Sequence, residues 1–461
     1  MYNSDTIAAI ATGMTNSGIG IIRISGSESF AVAERIFLPA NKNIKIKDAE
    51  SHTIHYGFIK DGEETVDEVM VSVMKSPRSF TTEDTVEINC HGGMLVMNRI
   101  LQLVITNGAR LAEPGEFTKR AFLNGRIDLS EAEAVMDVIS SKNDMALKSS
   151  VGQLRGKVSE KVKQLRSDII YEIAFIESAL DDPEHISLDD YPDKLLIKTD
   201  FLIKAVDNLL QSADSGRIMK EGIKTVIVGK PNAGKSSLLN ILAGEEKAIV
   251  TDIAGTTRDV LEENINLHGI SLNVIDTAGI RDTEDIVEKI GVERARKAAM
   301  DADLIIYVVD ASVPLDGNDQ MIFKMIHDKK SVILLNKTDL PSVINEDDLL
   351  KMAGKDSVMI RTSTKDATGI DLFENTVKDM FFKGKINPDQ EVVITNMRHK
   401  EALLRTLESL KQVKQSIENH MPEDFYSIDL MSAYTSLGSI IGEEVSDDLV
   451  NEIFSKFCMG K

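Results

Sequence analysis

The sequence comprises 461 residues, of which 42% are hydrophobic and 28% are charged, and its formal net charge is −21. A domain usually takes about 100–200 residues, so this length predicts about two to four domains, and the composition excludes a disordered chain. The acidic balance argues against a nonspecific nucleic-acid binder, because such proteins neutralise phosphates with a surplus of Lys and Arg.

The N-terminal stretch MYNSDTIAAIAT lacks the basic and apolar segments of a secretory signal and the Arg-rich character of a transit peptide. No apolar run approaches the roughly 18 residues that a membrane span needs. We therefore expect a cytoplasmic protein that does not enter a membrane. The two cysteines, Cys90 and Cys458, form no C-x-x-C pair, which excludes a disulfide framework and a zinc site of that type.

Residues 1–118 are predicted to form an α+β domain. Short β-rich runs at Gly20–Ile24, Val69–Met74 and Thr85–Ile88 alternate there with Gly-containing turns and occasional helical stretches.

Residues 119–217 and 385–461 are predicted to be two parts of one helical domain. Apolar residues at steps of three and four, which are typical of a packed helix, occur in both parts. The stripes consist of Val158, Val162, Leu165, Ile169, Ile173 and Ile176 in the first part and of Leu403, Leu407, Leu410, Val413 and Ile417 in the second.

Residues 218–384, between these two parts, alternate β-rich and helical runs as a doubly wound α/β domain does. The simplest architecture inserts this domain into the helical one. The polar stretch Gln211–Gly222 and the stretch Lys383–Glu391 are predicted to be the hinges on either side of the insertion.

A phosphate-binding loop opens the inserted domain. The β-branched strand Thr225–Val228 leads into the run GKPNAGKS, and a helix follows from Ser237. In such a loop, backbone N–H groups surround the β-phosphate, Lys235 reaches the β- and γ-phosphates, and Ser236 offers its hydroxyl to Mg²⁺. The predicted nucleotide contacts of this loop are Asn232, Ala233, Gly234, Lys235, Ser236 and Ser237.

Two further motifs follow in the order that a GTPase uses them. The run Gly255–Asp259 supplies a switch threonine, and we expect Thr257 to close over Mg²⁺ together with Ser236. A DTAG run then follows the strand Leu272–Ile275. It places a carboxylate near Mg²⁺ and a Gly amide at the γ-phosphate, and its residues are Asp276, Thr277, Ala278 and Gly279.

The guanine base is read by the run NKTD after the strand Val332–Leu335. Asp339 can accept both N–H groups of the guanine edge, which adenine does not supply, so this element selects GTP over ATP. The predicted base pocket consists of Asn336, Lys337 and Asp339 with Ser363, Thr364 and Lys365, although GTPases more often have Ala where Thr364 stands.

Hydrolysis needs a residue that orients the attacking water. Many GTPases place a Gln directly after the DTAG motif, but this chain has Ile280, which cannot hydrogen-bond to water. Chemistry alone leaves the choice open among the acidic residues that follow, which are Asp282, Glu284, Asp285 and Glu288.

Near the chain ends, Cys458 precedes Gly460 and Lys461, and a neighbouring ammonium would lower the pKa of the thiol. The residue is either an exposed nucleophile or, as is commoner for cysteine, a buried structural group. His91, beside Gly92 and Gly93, either lines a small-molecule pocket or is simply hydrogen-bonded structure.

Long motifs resemble one family throughout the chain, the tRNA modification GTPases known as MnmE or TrmE. The runs that carry the resemblance are Asp5–Ala9, Gly18–Gly26, Phe80–Gly93, Pro114–Gly125, the phosphate-binding loop and the C-terminal Cys-x-Gly-Lys. The resemblance implies an N-terminal folate-binding and dimerising domain, a helical domain and an inserted Ras-like P-loop G domain.

The resemblance also implies an activity. Such proteins form homodimers and work with an FAD-dependent flavoprotein of the MnmG type. They hydrolyse GTP and install an aminomethyl or carboxymethylaminomethyl group on C5 of the wobble uridine of certain tRNAs. The one-carbon unit comes from 5,10-methylene- or 5-formyl-tetrahydrofolate.

Site residues follow from the resemblance position by position. The folate contacts fall on Arg23, Glu87, Arg126 and Lys461, the water-positioning acid on Glu288 and the cysteine required for modification on Cys458. A K⁺ ion replaces the charge of an arginine finger. Its expected ligands are Asn232, Thr251, Ile253 and Thr256, and Thr251 and Thr256 are also expected to contact GTP.

Two rival hypotheses remain. The chain could be a pure GTPase switch, for example in ribosome assembly, with its flanking domains as docking surfaces. It could instead be a folate enzyme with an inert G domain, which the complete set of guanine motifs disfavours.

Overall fold

A computed structural model describes residues 5–244, 262–267, 269–275, 298–382, 392–443, 445–458 and 460. The chain divides into two compact units. The first unit contains Met1–Met136, Val162–Arg166 and Tyr434–Lys461, and the second contains Asp137–Lys161 and Ser167–Ala433. Within these described residues, no helix combines the length and the apolar character needed to cross a membrane.

A seven-stranded sheet forms the centre of the first unit, with the strand order β3-β4-β5-β6-β2-β1-β7. Neighbouring strands are antiparallel except β1 and β7, which run parallel. The strands are β1 Ile7–Ile10, β2 Ser17–Ser25, β3 Phe37–Pro39, β4 Thr53–Asp61, β5 Glu64–Met74, β6 Thr85–Gly92 and β7 Arg110–Leu111. The three runs expected as strands lie in β2, β5 and β6. Alternate residues of these strands, such as Ile22, Val71 and Ile88, are buried in the core.

The helices of the N-terminal region are α1 Ser29–Ile36, α2 Met94–Thr106, α3 Glu116–Leu123 and α4 Leu129–Ser140. The helices α1 and α2 contribute Val32, Ile36, Met97 and Ile100 to the same core as the sheet. The predicted domain boundary after residue 118 falls inside α3.

The C-terminal segment belongs to the first unit. Helix α14, Asp447–Ser455, and the residues after it bury Val450, Phe454 and Phe457 in one apolar cluster with Leu129 and Ala132 of α4. Burial of these large side chains holds the end of the chain against the N-terminal region.

Long helices make up the helical part of the chain. They are α5 Asp144–Leu154, α6 Lys157–Asp181, α7 Tyr191–Glu221, α12 Met397–Glu418 and α13 Glu423–Ile441. Their residues belong to the second unit, except Val162–Arg166 of α6 and the end of α13 from Tyr434 onward. Both predicted apolar stripes are buried along their whole length, on α6 and on α12. Helix α12 packs along α7.

The stretch 211–222, expected as a hinge, is instead the end of α7, and Gly222 joins the helix directly to the next strand. The stretch is not only polar, since Ala213, Ile218 and Met219 are buried. Tertiary packing of these residues continues the helix where the polar composition suggested a linker. The expected boundary at residue 217 therefore lies within a helix, and the second expected hinge lies outside the described residues.

The inserted domain contains a six-stranded sheet with the order β13-β12-β11-β8-β10-β9. All neighbours are parallel except the edge pair β10 and β9. Among the described residues, the strands are β8 Ile223–Val228, β9 Glu262–Leu267, β10 Ile270–Ile275, β11 Leu304–Asp310, β12 Ser331–Asn336 and β13 Ser357–Arg361. The described helices include α8 Lys235–Gly244, α9 Gly317–Ile326, α10 Glu346–Met352 and α11 Ile370–Phe382.

Both faces of this sheet are covered. Alternate residues of the strands enter two separate cores, for example Ile306 on the side of Phe373 in α11 and Tyr307 on the side of Phe323 in α9. The predicted doubly wound α/β domain is therefore confirmed, and the carboxyl ends of β8, β11, β12 and β13 lie along one edge.

The helical part and the α/β part meet at the start of α5. Asn143 caps this helix by accepting a hydrogen bond from the backbone N–H of Ala146 at 2.7 Å. Its amide donates to the Ser271 hydroxyl of β10 at 3.0 Å and to the Met219 carbonyl at 3.3 Å. One buried side chain thus joins three segments of the second unit.

Candidate functional site

The phosphate-binding loop follows β8 at the carboxyl edge of the sheet, as its motif predicts. Gly234 has a φ of 106°, and a Cβ there would lie 2.2 Å from Nδ2 of Asn336, so only glycine fits. Asn232 also has a left-handed backbone, with a φ of 61°, and is exposed at the rim of the loop. The loop is therefore a narrow cradle whose backbone can approach an anion closely.

Lys235 begins α8, and its ammonium turns back over the loop. Nζ donates to the carbonyl oxygens of Gly229 at 2.7 Å and of Lys230 at 2.8 Å. Ser236 and Ser237 are exposed in the first turn of the same helix, where the N–H groups and the helix dipole favour an anion. A cation and a helix N-terminus therefore converge on one small volume.

Asn336 connects this loop to the predicted base pocket. The residue is fully buried at the end of β12, and its amide donates to the Ala233 carbonyl at 2.9 Å. Its side-chain oxygen accepts from the Thr364 backbone N–H at 3.0 Å, and Nδ2 lies 3.3 Å from the Thr364 hydroxyl. Three motifs that are far apart in sequence are thus joined through one side chain.

Lys337 lies next in the chain with a φ of 61°, and its ammonium is 2.6 Å from Asp310 at the end of β11. Burial opposes the charge on Asp310, but hydrogen bonds from Lys337 and Ser312 hold the pKa of this carboxyl below its usual value. Asp310 is a carboxylate at neutral pH and fixes the direction of the lysine. Sequence analysis did not find it, because its partner is supplied by a neighbouring strand.

Asp339 is exposed, so its carboxylate faces the open edge of the sheet. Oδ1 accepts a hydrogen bond from the Ser363 hydroxyl at 3.1 Å, which orients the carboxylate and leaves acceptor positions on Oδ2. Lys365 is exposed in the loop that follows β13. The structure therefore brings the NKTD and Ser-Thr-Lys runs together.

Several predicted site residues lie outside the described residues. They are Thr251, Ile253, Thr256, Thr257, Asp276, Thr277, Ala278, Gly279, Glu288 and Lys461.

In the first unit, Arg23 and Glu87 form a cross-strand pair on β2 and β6. Nε of Arg23 is 2.8 Å from the Glu87 carboxylate, and both side chains are about four-fifths buried, with 17% and 21% exposed. Arg23 also donates to the carbonyl oxygen of Gly460 at 3.3 Å. Two of the candidate folate residues and the end of the chain are thus adjacent.

Aromatic rings complete this cluster. The guanidinium of Arg126 lies 5.1 Å from the ring centroid of Phe80, and that of Arg23 lies 6.0 Å from Phe80 and 5.5 Å from Phe117. Arg23 and Arg126 therefore both lie near the half-buried ring of Phe80, and Phe117 is fully buried beneath Arg23. Sequence analysis did not single out either Phe as a site residue, because an aromatic residue in a motif is usually core.

The cysteine-bearing tail is fixed close to this cluster. Gly460 has a φ of 83°, and a Cβ there would lie 2.3 Å from the Ile10 carbonyl. The Cys458 carbonyl accepts from the Gly115 N–H at 3.3 Å, whereas the Cys458 side chain is exposed. Cys90 is buried, and burial raises the pKa of its thiol to about 11. Of the two cysteines, Cys458 is therefore the one whose side chain is accessible from solvent.

An ion-pair cluster supports the same region and was missed by sequence analysis. Arg120, 10% exposed, bonds to Asp5 at 2.9 Å, Glu83 at 3.1 Å and Glu116 at 3.0 Å. Arg110 bonds to the same Asp5 and Glu116 at 2.5 and 2.6 Å. The two guanidinium groups therefore hold three carboxylates from separate segments.

His91 is held by Asp67, with Nδ1 at 2.7 Å from the carboxylate, and its ring is exposed. This outcome agrees with the interpretation of His91 as hydrogen-bonded structure.

A phosphate cradle at the first strand of a doubly wound sheet, joined to a guanine-reading motif at a neighbouring strand end, defines this chain as a P-loop GTPase. Residues 6–126 match the family described as GTP-binding protein TrmE N-terminus, and residues 129–458 match the MnmE helical domain. The chain belongs to the MnmE family of tRNA modification GTPases.

Curated relatives match over their full length. The tRNA modification GTPase MnmE of Lachnoclostridium phytofermentans is 57% identical over 458 residues, which cover 99% of this chain and 100% of that protein. The protein of the same name from Acetivibrio thermocellus is 51% identical, with 100% of both chains covered. Among solved structures, the G domain of the T. maritima FeoB iron transporter is 26% identical, covers 34% of this chain and 98% of its own, and has a TM-score of 0.27.

Proposed function

We propose that this protein is a K⁺-dependent GTPase that modifies tRNA. Together with an FAD-dependent flavoprotein of the MnmG type, it installs an aminomethyl or carboxymethylaminomethyl group on C5 of the wobble uridine of certain tRNAs. A tetrahydrofolate derivative supplies the one-carbon unit. The names of the relatives support the tRNA substrate.

One observation carries this proposal beyond a simple nucleotide switch. The chain has, apart from its GTPase motifs, a second cluster in which Arg23, Glu87 and Phe80 lie beside Gly460, two residues after the exposed Cys458. A protein that only switched between nucleotide states would need neither an exposed thiol nor a charged cluster around an aromatic ring.

In the G domain, Lys235 and the amides of the loop bind the phosphates, and Asp339 with Asn336, Lys337 and the Ser-Thr-Lys run binds guanine. Ser236 and Thr257 would hold Mg²⁺. The fit of the phosphates is supported by the cradle at Gly234, which a Cβ would fill. The fit of guanine is supported by the exposed carboxylate of Asp339, oriented by Ser363.

For hydrolysis, we assign the orientation of the water to Glu288, the position on which the water-positioning acid of the family falls. Ile280, directly after the DTAG run, cannot hydrogen-bond to water. Asn232, Thr251, Ile253 and Thr256 would hold K⁺, which supplies positive charge beside the phosphates. The position of Asn232 supports this assignment, since its side chain is exposed at the rim of the phosphate loop.

In the first unit, Arg23, Glu87, Arg126 and Lys461 are assigned to the folate derivative. Glu87 is suited to accept the amino N–H groups of a pterin, and an arginine such as Arg126 is suited to bind a glutamate carboxylate. The ring of Phe80 offers a face for a flat heterocycle. The chemistry of this donor set therefore fits the group.

We further propose that the protein is a cytoplasmic homodimer. GTP would close its two G domains face to face, and hydrolysis would open them again, so that nucleotide turnover gates the chemistry at the folate site.

The deciding experiment changes Cys458→Ser, with Cys90→Ala as a control that removes the buried thiol. Mass analysis of wobble uridines in cells that contain each variant measures modification, and phosphate release measures GTPase turnover. We expect Cys458→Ser to abolish modification and to leave GTP turnover unchanged. Full modification by this variant would show that Cys458 is not required, and full modification in cells that lack the protein would refute the enzyme proposal and favour a GTPase switch, such as a ribosome-assembly factor.

A further inference from the structure

A second lysine of the phosphate loop is bound to the start of α9. Nζ of Lys230 lies 2.9 Å from the Asp316 carboxylate and 2.5 Å from that of Asp319. The Asp319 side chain is only 3% exposed and that of Lys230 is 22% exposed. Because Asp319 is shielded from water, removing Lys230 would leave a buried carboxylate without its cation, which is more costly than breaking a surface pair.

Asp319 is itself held in place from three directions. Its Oδ1 accepts a hydrogen bond from the Tyr307 hydroxyl at 2.6 Å. Its Oδ2 accepts from the Asp316 backbone N–H at 2.7 Å, which closes the capping box of α9, and from Lys230. Tyr307 is fully buried on the central strand β11 and its ring packs edge-on against Phe323 at 5.3 Å. The anchor for Lys230 is therefore part of the rigid core.

The backbone of Lys230 is hydrogen-bonded to Lys235, the lysine expected to bind the phosphates. Its carbonyl oxygen accepts from Nζ of Lys235 at 2.8 Å and from the Ala233 N–H at 3.3 Å. Lys230 thus has two contacts with different functions. Its side chain attaches the residue to the core through Asp319, and its backbone carbonyl holds Lys235 and the turn of the loop.

We propose that Lys230 is a positioning residue for nucleotide binding, anchored through Asp319 and Tyr307. Its ion pair holds the loop, before the nucleotide binds, in the conformation that a nucleotide phosphate needs. The loop therefore loses less conformational entropy when the nucleotide binds. Lys230 acts through the loop and through Lys235, and its own ammonium stays on the carboxylates of α9. This inference rests on the proposed GTPase function.

The test compares four purified full-length variants with the wild type. Lys230→Met removes the charge but keeps most of the apolar stem, and Lys230→Arg restores a cation. Tyr307→Phe removes only the hydroxyl that anchors Asp319. Lys351→Met is the matched control, because it removes an exposed lysine paired with Asp348 in the same domain. The measurements are the affinity for GDP with Mg²⁺, the KM and kcat for GTP, and the melting temperature.

We expect Lys230→Met to weaken GDP binding and to raise KM about tenfold, the scale of one charge-assisted hydrogen bond, with little change in kcat. Tyr307→Phe should weaken binding about threefold, Lys230→Arg should restore most of the affinity, and Lys351→Met should match the wild type. A purely structural role would instead lower the active fraction, so apparent kcat would fall while KM stayed constant.

The inference is overturned if Lys230→Met binds GDP as tightly as the wild type. It is also overturned if kcat falls instead of KM rising, or if Lys230→Arg fails to restore affinity. Should Lys230→Met not fold, unchanged affinity in Tyr307→Phe overturns it. If the wild-type protein binds neither GDP nor GTP, the proposed GTPase function fails first, which is a distinct result.

Discussion

The side-chain amide of Asn336 donates a hydrogen bond over 2.9 Å to the carbonyl oxygen of Ala233, so the strand that precedes the base-reading motif is tied directly to the phosphate loop. The same side chain accepts from the backbone of Thr364. Recognition of the base and of the phosphates therefore depends on one shared, fully buried residue.

Replacement of this residue should disturb both ends of the nucleotide. Asn336→Ala leaves the Ala233 carbonyl and the Thr364 N–H without their partner in a buried place, which costs about 1–3 kcal/mol. We expect GDP affinity to fall by about tenfold to a hundredfold, measured by calorimetry with Mg²⁺ present. Asn240→Ala, on the exposed side of α8, is the control and should bind normally. Equal affinity in the two variants would contradict a joining role for Asn336.

Base selection is expected to depend on Asp339. Asp339→Asn replaces a carboxylate that only accepts hydrogen bonds by an amide that also donates, which no longer matches the two N–H groups of guanine. Affinity for GTP should fall by about a hundredfold or more, while xanthosine triphosphate, which has a carbonyl in place of the amino group, should bind the variant better than it binds the wild type. Competition assays with both nucleotides measure this change in base preference. Unchanged preference for GTP would show that another group reads the base.

Glu87 provides a test of the second site. Glu87→Gln keeps the shape of the side chain but removes the charge that faces Arg23 and the proposed pterin. We expect affinity for 5-formyl-tetrahydrofolate to fall by about tenfold or more, because a charge-assisted hydrogen bond is lost. GTP turnover should stay at the wild-type level.

The control for this experiment is Glu64→Gln, which neutralises another glutamate of the same sheet that pairs with an arginine, Arg99, at the surface. Equilibrium calorimetry of both variants measures the difference. If Glu87→Gln binds the folate derivative as Glu64→Gln does, Glu87 is a structural partner of Arg23 and the assignment fails.

The ion-pair cluster predicts sensitivity to acid. Hydrogen bonds from Arg110 are the main cause of a pKa of Asp5 below its usual value of 3.8. Burial opposes the charge on Glu116, but hydrogen bonds from Arg110 and other donors still hold its pKa below the usual value of 4.5. A carboxyl with a lowered folded-state pKa binds fewer protons when folded. Its stabilisation is therefore present above the unfolded-state pKa and is lost as pH falls through the folded-state value.

We accordingly expect protection of the β1 amides against hydrogen exchange to decrease as pH falls below about 4. In Glu116→Gln, protection at neutral pH should already be lower, by about 1–3 kcal/mol, and its further decrease in acid should be smaller. The comparison must correct for the intrinsic pH dependence of exchange. Identical acid profiles for the variant and the wild type would show that this cluster does not stabilise β1.

Much of the fold was predictable because periodicity reports burial. The stripes on α6 and α12 and the strands around the phosphate loop were found from residue spacing alone, and the structure confirms them. The predicted hinge at residues 211–222 was wrong for the converse reason. The polar side chains there indicated a linker, whereas a few buried residues keep the stretch in helix α7.

The site was predictable where a motif is contiguous and not where it is assembled by the fold. The phosphate loop and the NKTD run can be read directly, but Asp310 reaches Lys337 from another strand and Asp319 reaches Lys230 from a helix about 90 residues away in sequence. The cluster around Arg120 joins Asp5 and Glu83, which are 115 and 37 residues away from it. No local pattern marks such partners.

The capping residue of α5 also bears on protein engineering. A shortened chain without its α/β insertion would lose Ser271, but Asn143 would still cap α5 through Ala146 and donate to the Met219 carbonyl of α7. Asn143→Asp would keep the capping oxygen but remove the donor to Met219. A dissected helical scaffold should therefore retain asparagine at this position, because the same side chain also links two helices that the scaffold keeps.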